Sequence, residues 1–162
     1  ARRGPGGGYY AARPDAAALD RALSGFLRTH PGSFSEALNI TSLLFTELVV
    51  AAASCQDPSL RADMAALDAR LAVADFDHAT FEHDFQDLLF KMVAWPLFEL
   101  LTHVTLHFAE RAAPHTVTGS AATTESWREG RRRIIGAIVA GDAELARFEA
   151  DRSNRRAVLR RL

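Results

Sequence analysis

The chain has 162 residues, of which 48% are hydrophobic and 24% charged, so it is long enough to form one domain with a substantial core. Nineteen Lys+Arg residues against 20 Asp+Glu residues give a formal net charge of -1, which provides no global attraction to nucleic acid or to anionic lipid. The longest apolar stretch, LLFTELVVAAA, is shorter than the roughly 20 residues that a membrane-spanning helix needs. The composition therefore favours a globular protein with no membrane segment, and the single cysteine, Cys55, fits the reducing environment of the cytoplasm.

Residues 1–14, ARRGPGGGYYAARP, contain a glycine turn between two short segments. Tyr9 and Tyr10 favour a strand after the turn, and Arg2 and Arg3 precede it. The GPGGG turn is not a P-loop, because no Gly-Lys-Ser/Thr follows it. Two interpretations remain open: a flexible linker, or a basic hairpin that contacts DNA phosphates through Arg2 and Arg3.

The next three segments carry helix-start signals. Asp15 is placed to cap a helix through AAALDRALSGFLRTH. Ser33 and Glu36 have capping-box spacing at the start of SFSEALNITSLLFTELVVAAAS, whose apolar residues nearly encircle the helix and predict a central position. Asp57 and Pro58 open the third predicted helix, DPSLRADMAALDARLAVA.

Four more helices are predicted in the second half of the chain. DHATFEHDFQDLLFKMV repeats apolar residues at helical spacing, and Pro96 opens WPLFELLTHVTLHFAER. The Pro, Gly, Ser and Thr content of AAPHTVTGSAATT predicts a loop. ESWREGRRRIIGAIVAG and DAELARFEADRSNRRAVLRRL follow, separated by Gly141, with Asp142 as a cap. Short connections favour antiparallel neighbours, so the predicted fold class is all-α, an antiparallel bundle of about seven helices over residues 15–162.

Arg131 is the most informative polar position in this pattern. Trp127, Arg131, Ile134 and Ile138 lie at i, i+4, i+7 and i+11, which puts a guanidinium within an apolar stripe. A buried charge needs a partner, either an internal carboxylate such as Glu82 or a bound anion. One interpretation is therefore a structural pair or a solvent-facing arginine, and the other is a ligand cavity.

The order of these segments resembles the GntR-type transcription regulators of the FadR subgroup. The resemblance rests on the glycine hairpin, the helix that begins at Pro14 and Asp15, and the helical bundle that ends in AIVAGDAELARFEADRSN. It implies that residues 1–14 are the remnant of a winged-helix wing and a linker, and that residues 15–162 are an effector-binding and dimerisation domain. It further implies a cytoplasmic homodimer that binds a small-molecule effector and contacts DNA through a winged-helix domain missing from this chain.

The resemblance also locates a metal site whose ligands have changed. Many domains of this subgroup hold a divalent metal with an aspartate and three histidines, and those places correspond here to Glu82, Gln86, Arg131 and Ser153. Gln and Ser are poor transition-metal ligands and Arg is not one, so we expect no metal or other cofactor there. The charge of Arg131 is expected to stand in for the metal and to anchor a carboxylate or phosphate through a forked hydrogen bond.

The residues expected to bind the ligand follow from the resemblance and from the helical spacing of polar residues. The metal-free, fatty-acid branch of the family binds an acyl thioester, which the many Phe and Leu residues here would suit. The expected lining consists of Arg131, Gln86, Glu82, Trp127, Ser153, His103 and His107.

Glu99, His103 and His107 form a separate row at i, i+4 and i+8 on the fifth predicted helix. The spacing is compatible with metal ligands, with a pocket-lining role and with a surface or core role, and these alternatives stay open.

The function expected from this pattern is ligand sensing and dimerisation in a transcription regulator. The alternative is a structural dimerisation module with a closed core, in which Arg131 pairs with Glu82. No nucleophile stands beside a plausible base and no paired carboxylates mark a cleft, so the sequence argues against an enzyme.

Overall fold

The computed structural model describes residues 2–3, 9–10, 16–29, 34–73, 77–112 and 121–159. Within these residues the protein is all-α, as the sequence predicts, with one two-stranded hairpin at its start. The elements are β1 (Arg2–Arg3), β2 (Tyr9–Tyr10), α1 (Ala16–Thr29), α2 (Phe34–Ala53), α3 (Pro58–Arg70), α4 (His78–Val93), α5 (Pro96–Ala112), α6 (Ala121–Ala140) and α7 (Ala143–Leu159).

The hairpin pairs the two segments on either side of the glycine turn. β1 and β2 are antiparallel, with Arg2 opposite Tyr10 and Arg3 opposite Tyr9. The strand preference of the two tyrosines is thus realised, and two basic residues share a ladder with two aromatic ones. The side chains of this hairpin and the GPGGG turn itself lie outside the description.

Three helices begin at capping aspartates. Asp57 accepts hydrogen bonds from the backbone N–H groups of Ser59 and Leu60 at the start of α3, as predicted. Asp77 caps α4 in the same way, and the Asp142 carboxylate accepts from the Leu145 N–H group at 2.9 Å at the start of α7, also as predicted. The caps predicted at Asp15 and Ser33 lie outside the described residues.

The sixth helix begins four residues earlier than its sequence indicated. Residues 121–124 were expected to end the preceding loop, and the structure places them in the first turn of α6. Thr123 and Thr124 favour a loop, but alanine has the highest intrinsic helix propensity, and Ala121 and Ala122 extend the helix toward its N-terminus. Residues 113–120, which make up most of the predicted loop, lie outside the description.

The turn between α6 and α7 depends on Gly141. Its φ of +73° lies in the left-handed region, and the Gly141 and Asp142 N–H groups bond to the carbonyls of Ile138 and Ala137. Arg61 of α3 covers this turn, because its Nη2 donates to the Val139 carbonyl. The glycine and the arginine together fix where α7 returns along the bundle.

Helix α2 lies at the centre of the bundle and packs against α4, α5, α6 and α7, which confirms the position expected for a helix apolar on nearly all sides. It runs antiparallel to α7, because Glu47 bonds Arg147 while Asn154, two turns further along α7, bonds the carbonyl of Ser42. The largest fully buried side chains are Phe81, Phe85, Leu48, Met64, Leu71, Leu89, Ile134, Ile135, Ile138 and Val49.

Among the described residues, none of the helices combines the length and the apolar character that a membrane span requires.

Candidate functional site

The centre of the candidate site is an ion pair between α4 and α6. Arg131 donates from Nε to Glu82 Oε1 at 2.6 Å and from Nη2 to Glu82 Oε2 at 3.0 Å. The Arg131 and Glu82 side chains are only 13% and 17% exposed. The inward orientation predicted for Arg131 is therefore present, and of the two partners considered from the sequence, the internal carboxylate is the one in contact.

Three aromatic rings surround this guanidinium. The Cζ atom of Arg131 lies 4.9 Å from the ring centre of Phe45, 5.4 Å from that of Phe85 and 5.6 Å from that of Trp127. These rings come from α2, α4 and α6 respectively, so three helices converge on one cation. Aromatic faces attract cations most strongly where water is partly excluded, and they stabilise the charged form of Arg131 here.

The pair leaves one edge of the guanidinium without a protein acceptor. Arginine has five N–H donors, and Glu82 takes one from Nε and one from Nη2. Within the described residues no oxygen accepts from Nη1 or from the second N–H of Nη2, so the edge formed by Nη1 and Nη2 is available. That edge has the geometry for a second bidentate bond to a carboxylate or a phosphate.

Trp127 connects the pair to the N-terminus of α4. Its ring meets Phe81 edge-on at 5.6 Å between centroids, and it contacts the His78 ring at 4.2 Å. His78 is exposed, whereas Phe81 is fully buried, so Trp127 spans the distance from solvent to core beside Arg131. Helical spacing could not connect His78 with Trp127, because the two residues lie on different helices and are more than 40 residues apart.

Ser153 of α7 lies against α6 at Gly130, the residue before Arg131. A Cβ atom at Gly130 would stand 3.4 Å from Ser153 Oγ, which is van der Waals contact. The hydroxyl therefore lies against α6 one residue away from Arg131. Gln86 is half-buried on α4, one turn after Glu82.

A polar contact between α2 and α7 involves three residues that the sequence did not single out. Asn154 Nδ2 donates to the Ser42 carbonyl at 3.0 Å and to Thr46 Oγ1 at 3.1 Å. Thr46 is buried and adjacent in sequence to Phe45, which contacts Arg131. Helix spacing alone could not reveal this contact, because it depends on the register between two helices more than 100 residues apart.

The contacts of His103 are made outside the Arg131–Glu82 pair. Its ring contacts Phe90 at 4.9 Å, its Nε2 is 3.8 Å from Glu99 Oε1, and its side chain is 44% exposed. Neither contact involves the Arg131 pair, so the structure does not bring this predicted lining residue to Arg131. The side chain of His107, like those of Arg2 and Arg3, lies outside the description.

The described part of the chain contains no cluster of three or more His, Cys, Asp or Glu side chains arranged to hold a metal ion. At the position where the resemblance implies a metal, Arg131 and Glu82 contact each other directly. A guanidinium carries the positive charge there and cannot itself coordinate a cation.

The next two arginines of α6 are engaged on the helix surface. Arg132 and Arg133, 39% and 31% exposed, both bond to Glu129 one turn earlier. The hydrogen bonds from Arg133 and then Arg132 hold the pKa of the Glu129 carboxyl below its ordinary value. Of the three consecutive arginines, Arg131 is the one that enters the core, in agreement with the helical phase deduced from the sequence.

Comparisons of the chain with protein-family models, with curated proteins and with solved structures find no match. The structure therefore defines the protein by its fold and its central contact: it is an all-α bundle with a largely buried arginine–glutamate pair within an aromatic cluster.

Proposed function

We propose that this chain is the ligand-sensing and dimerisation domain of a DNA-binding transcription regulator, and that Arg131 anchors the anionic group of a small organic effector without a metal. The observation that carries the proposal is the free Nη1–Nη2 edge of an arginine whose side chain is only 13% exposed. A guanidinium already fixed by Glu82 loses little conformational entropy when a second anion binds, so the site is pre-organised for a carboxylate or phosphate.

The remainder of the expected lining gives this anchor its surroundings. Phe45, Phe85 and Trp127 supply apolar surface beside the guanidinium, and Ser153 supplies a hydroxyl from α7. Apolar walls with a few directed polar groups are typical of small-molecule sites. An organic acid with an acyl chain suits this combination better than an inorganic anion does.

The regulatory part of the proposal follows from the resemblance to the FadR subgroup. Arg2 and Arg3 in β1 would grip the DNA backbone as part of the wing, and effector binding would change how two DNA-binding heads are spaced in a homodimer. Effector binding alters DNA affinity only if the effector binds two arrangements of the dimer with different affinities. Large exposed apolar side chains on α2, α5 and α7, namely Leu43, Leu97 and Phe148, favour burial against a second copy.

Thermal unfolding in the presence of straight-chain carboxylates tests the anchor. We expect sodium salts from butanoate to octanoate to raise the melting temperature of the native chain, and we expect the double variant Glu82→Gln/Arg131→Met to lose the rise. The double variant is used because Arg131→Met alone leaves a largely buried carboxylate without its partner. Arg133→Met is the matched control, since it removes a guanidinium from the same helix at the surface.

The results separate the proposal from a structural role. Stabilisation by a carboxylate that disappears in the double variant and persists in Arg133→Met supports the anchor. Stabilisation that is equal in all three proteins, or absent from the native chain at every chain length, contradicts it. Native mass spectrometry of protein purified without denaturation adds an independent measurement, because an effector retained by the bundle appears as added mass.

A second candidate function rests on the Glu82 contact itself. Glu82 satisfies two donors of Arg131 from within the chain, as expected for a dimerisation module with a closed core. Such a module forms a dimer, retains no ligand in native mass spectrometry and shows no carboxylate-dependent stabilisation. Analytical ultracentrifugation tests the dimer that both candidates require, and a monomer at micromolar concentration contradicts both.

A further inference from the structure

A groove between α3 and α4 forms a second polar region, separate from the Arg131 pair. It has a volume of about 350 Å³, and Leu67 and Leu88, each 7% exposed, lie along it. Its lining comes from two helical stripes with the same spacing, Asp63, Ala66, Leu67 and Arg70 on α3 and Asp84, Asp87, Leu88 and Lys91 on α4.

The two ends of the groove differ in how their charges are satisfied. At one end Arg70 Nη1 bonds Asp84 Oδ2 at 2.7 Å. Asp63 and Lys91 also line the groove, and each lies seven residues, about 10 Å along its own helix, from that pair. Within the described part of the chain neither Asp63 nor Lys91 makes an ion pair.

Asp87 adds a second carboxylate at the end of the groove lined by Asp63 and Lys91, which we call the open end. It lies one helical turn before Lys91, a spacing at which opposite charges often pair, yet its Oδ2 atom lies 3.7 Å from Nε2 of His83. Lys91 is also the only lysine in the chain, whereas the other 18 Lys+Arg residues are arginines. The open end thus presents one compact ammonium group and two carboxylates beside an apolar floor.

We propose that this groove binds a free α-amino acid with an apolar side chain, in its zwitterionic form. The ligand carboxylate pairs with Lys91 and the ligand ammonium group with Asp63, while the side chain covers Leu67 and Leu88 toward the Arg70–Asp84 pair. A simple carboxylate would pair with Lys91 but be repelled by two aspartates. A simple amine would pair with an aspartate but be repelled by Lys91 and leave its ammonium group without a partner. A ligand that carries an ammonium group and a carboxylate group on the same carbon atom complements both Lys91 and Asp63 at this end of the groove.

Ligand-observed NMR by saturation transfer tests the inference with three probes of the same hydrocarbon shape. These are L-leucine, 4-methylpentanoate, which lacks the amine, and isoamylamine, which lacks the carboxylate. Because the Arg131 anchor proposed above also takes carboxylates, the three probes are compared in Glu82→Gln/Arg131→Met, which lacks that anchor, and there we expect saturation transfer to L-leucine alone. Adding Lys91→Gln or Asp63→Asn to this protein should weaken L-leucine binding about fivefold or more. Both side chains are exposed, so these variants are expected to fold, and circular dichroism checks that they do.

Two comparisons with the native chain complete the test. Glu144→Gln, which removes an exposed carboxylate from α7, should bind L-leucine as the native chain does. Glu82→Gln/Arg131→Met should also bind it, which separates this site from the carboxylate anchor proposed above. In Glu82→Gln/Arg131→Met, saturation transfer to either single-charge analogue as strong as that to L-leucine would overturn the inference. Undiminished L-leucine binding in both groove variants, or no L-leucine binding by the native chain, would overturn it as well.

Discussion

The strongest quantitative test of the structure is the energetic coupling between Arg131 and Glu82. Their side chains are 13% and 17% exposed, so either group left alone is a mostly desolvated charge. Removing one partner of a buried pair costs about 3–5 kcal/mol, and the remaining exposure favours the lower end, about 3 kcal/mol for Arg131→Met. For a domain of this size the melting temperature should fall by about 6–12 °C.

The double-mutant cycle isolates the pair from the surrounding packing. Methionine retains contact with the aromatic rings, and glutamine retains the shape of Glu82 without its charge, so Glu82→Gln/Arg131→Met leaves no unpaired ion. We expect the double variant to be no less stable than Arg131→Met, with a coupling energy of about 2 kcal/mol. Urea unfolding followed by far-ultraviolet circular dichroism measures all four proteins.

The Glu47–Arg147 pair provides the matched control. It joins α2 to α7 through contacts of 2.6 and 3.3 Å, but its side chains are 52% and 45% exposed. Solvent screens such a pair, so Glu47→Gln and Arg147→Met should show a smaller coupling. If the costs of Arg131→Met and Glu82→Gln simply add within about 0.5 kcal/mol, the reasoning about a desolvated, mutually dependent pair is refuted.

Three other predictions concern local backbone and capping. Ala94, the C-cap of α4, has a φ of 54°, so Ala94→Gly should stabilise the protein by about 1 kcal/mol in urea unfolding; a loss of stability would contradict the assigned conformation. Gly141→Ala should destabilise the protein by at least about 1 kcal/mol, because φ at Gly141 is +73° and the new Cβ would stand 3.2 Å from Arg61 Nη2. Thermal unfolding measures this loss, and an unchanged melting temperature would contradict the left-handed conformation of Gly141. The pKa of Asp57 is lowered mainly by the hydrogen bond from the Ser59 hydroxyl and further by bonds from the backbone N–H groups of Ser59 and Leu60. The stabilisation from Asp57 is therefore present above the unfolded-state pKa of about 4 and is lost as pH falls through the lower folded-state pKa. Asp57→Asn should flatten the dependence of stability on pH below about 4, and an unaltered slope would contradict this role of Asp57.

The helices could be predicted from sequence because their signals are local. Asp57 and Asp142 cap helices as expected, and the row of Ile134 and Ile138 is fully buried. The early start of α6 escaped prediction because composition favours a loop where alanine propensity extends a helix.

The site could be predicted only in part, because its geometry depends on long-range register. Arg131 lies between Trp127 and Ile134 on one face, which determines its direction and its need for a partner. The spacing cannot show that Phe45 lies 4.9 Å from its Cζ, since that depends on how α2 crosses α6. For the same reason the i+4 spacing of Glu99 and His103 reveals their shared row but not that Phe90 covers the histidine ring.

The two candidate functions place opposite requirements on Glu82. In a structural module, Glu82 completes the core, and replacing it only weakens the fold. In a sensor, Glu82 orients the guanidinium but also neutralises it, so an added anion gives the largely buried group a net negative charge and is held less tightly than it would be by Arg131 alone. Glu82→Gln should therefore cost stability in either case, yet only a sensor gains carboxylate affinity from it, because glutamine can accept from Nε without carrying a competing charge. The sign of that change in affinity distinguishes a residue that holds the bundle together from one that tunes a binding site.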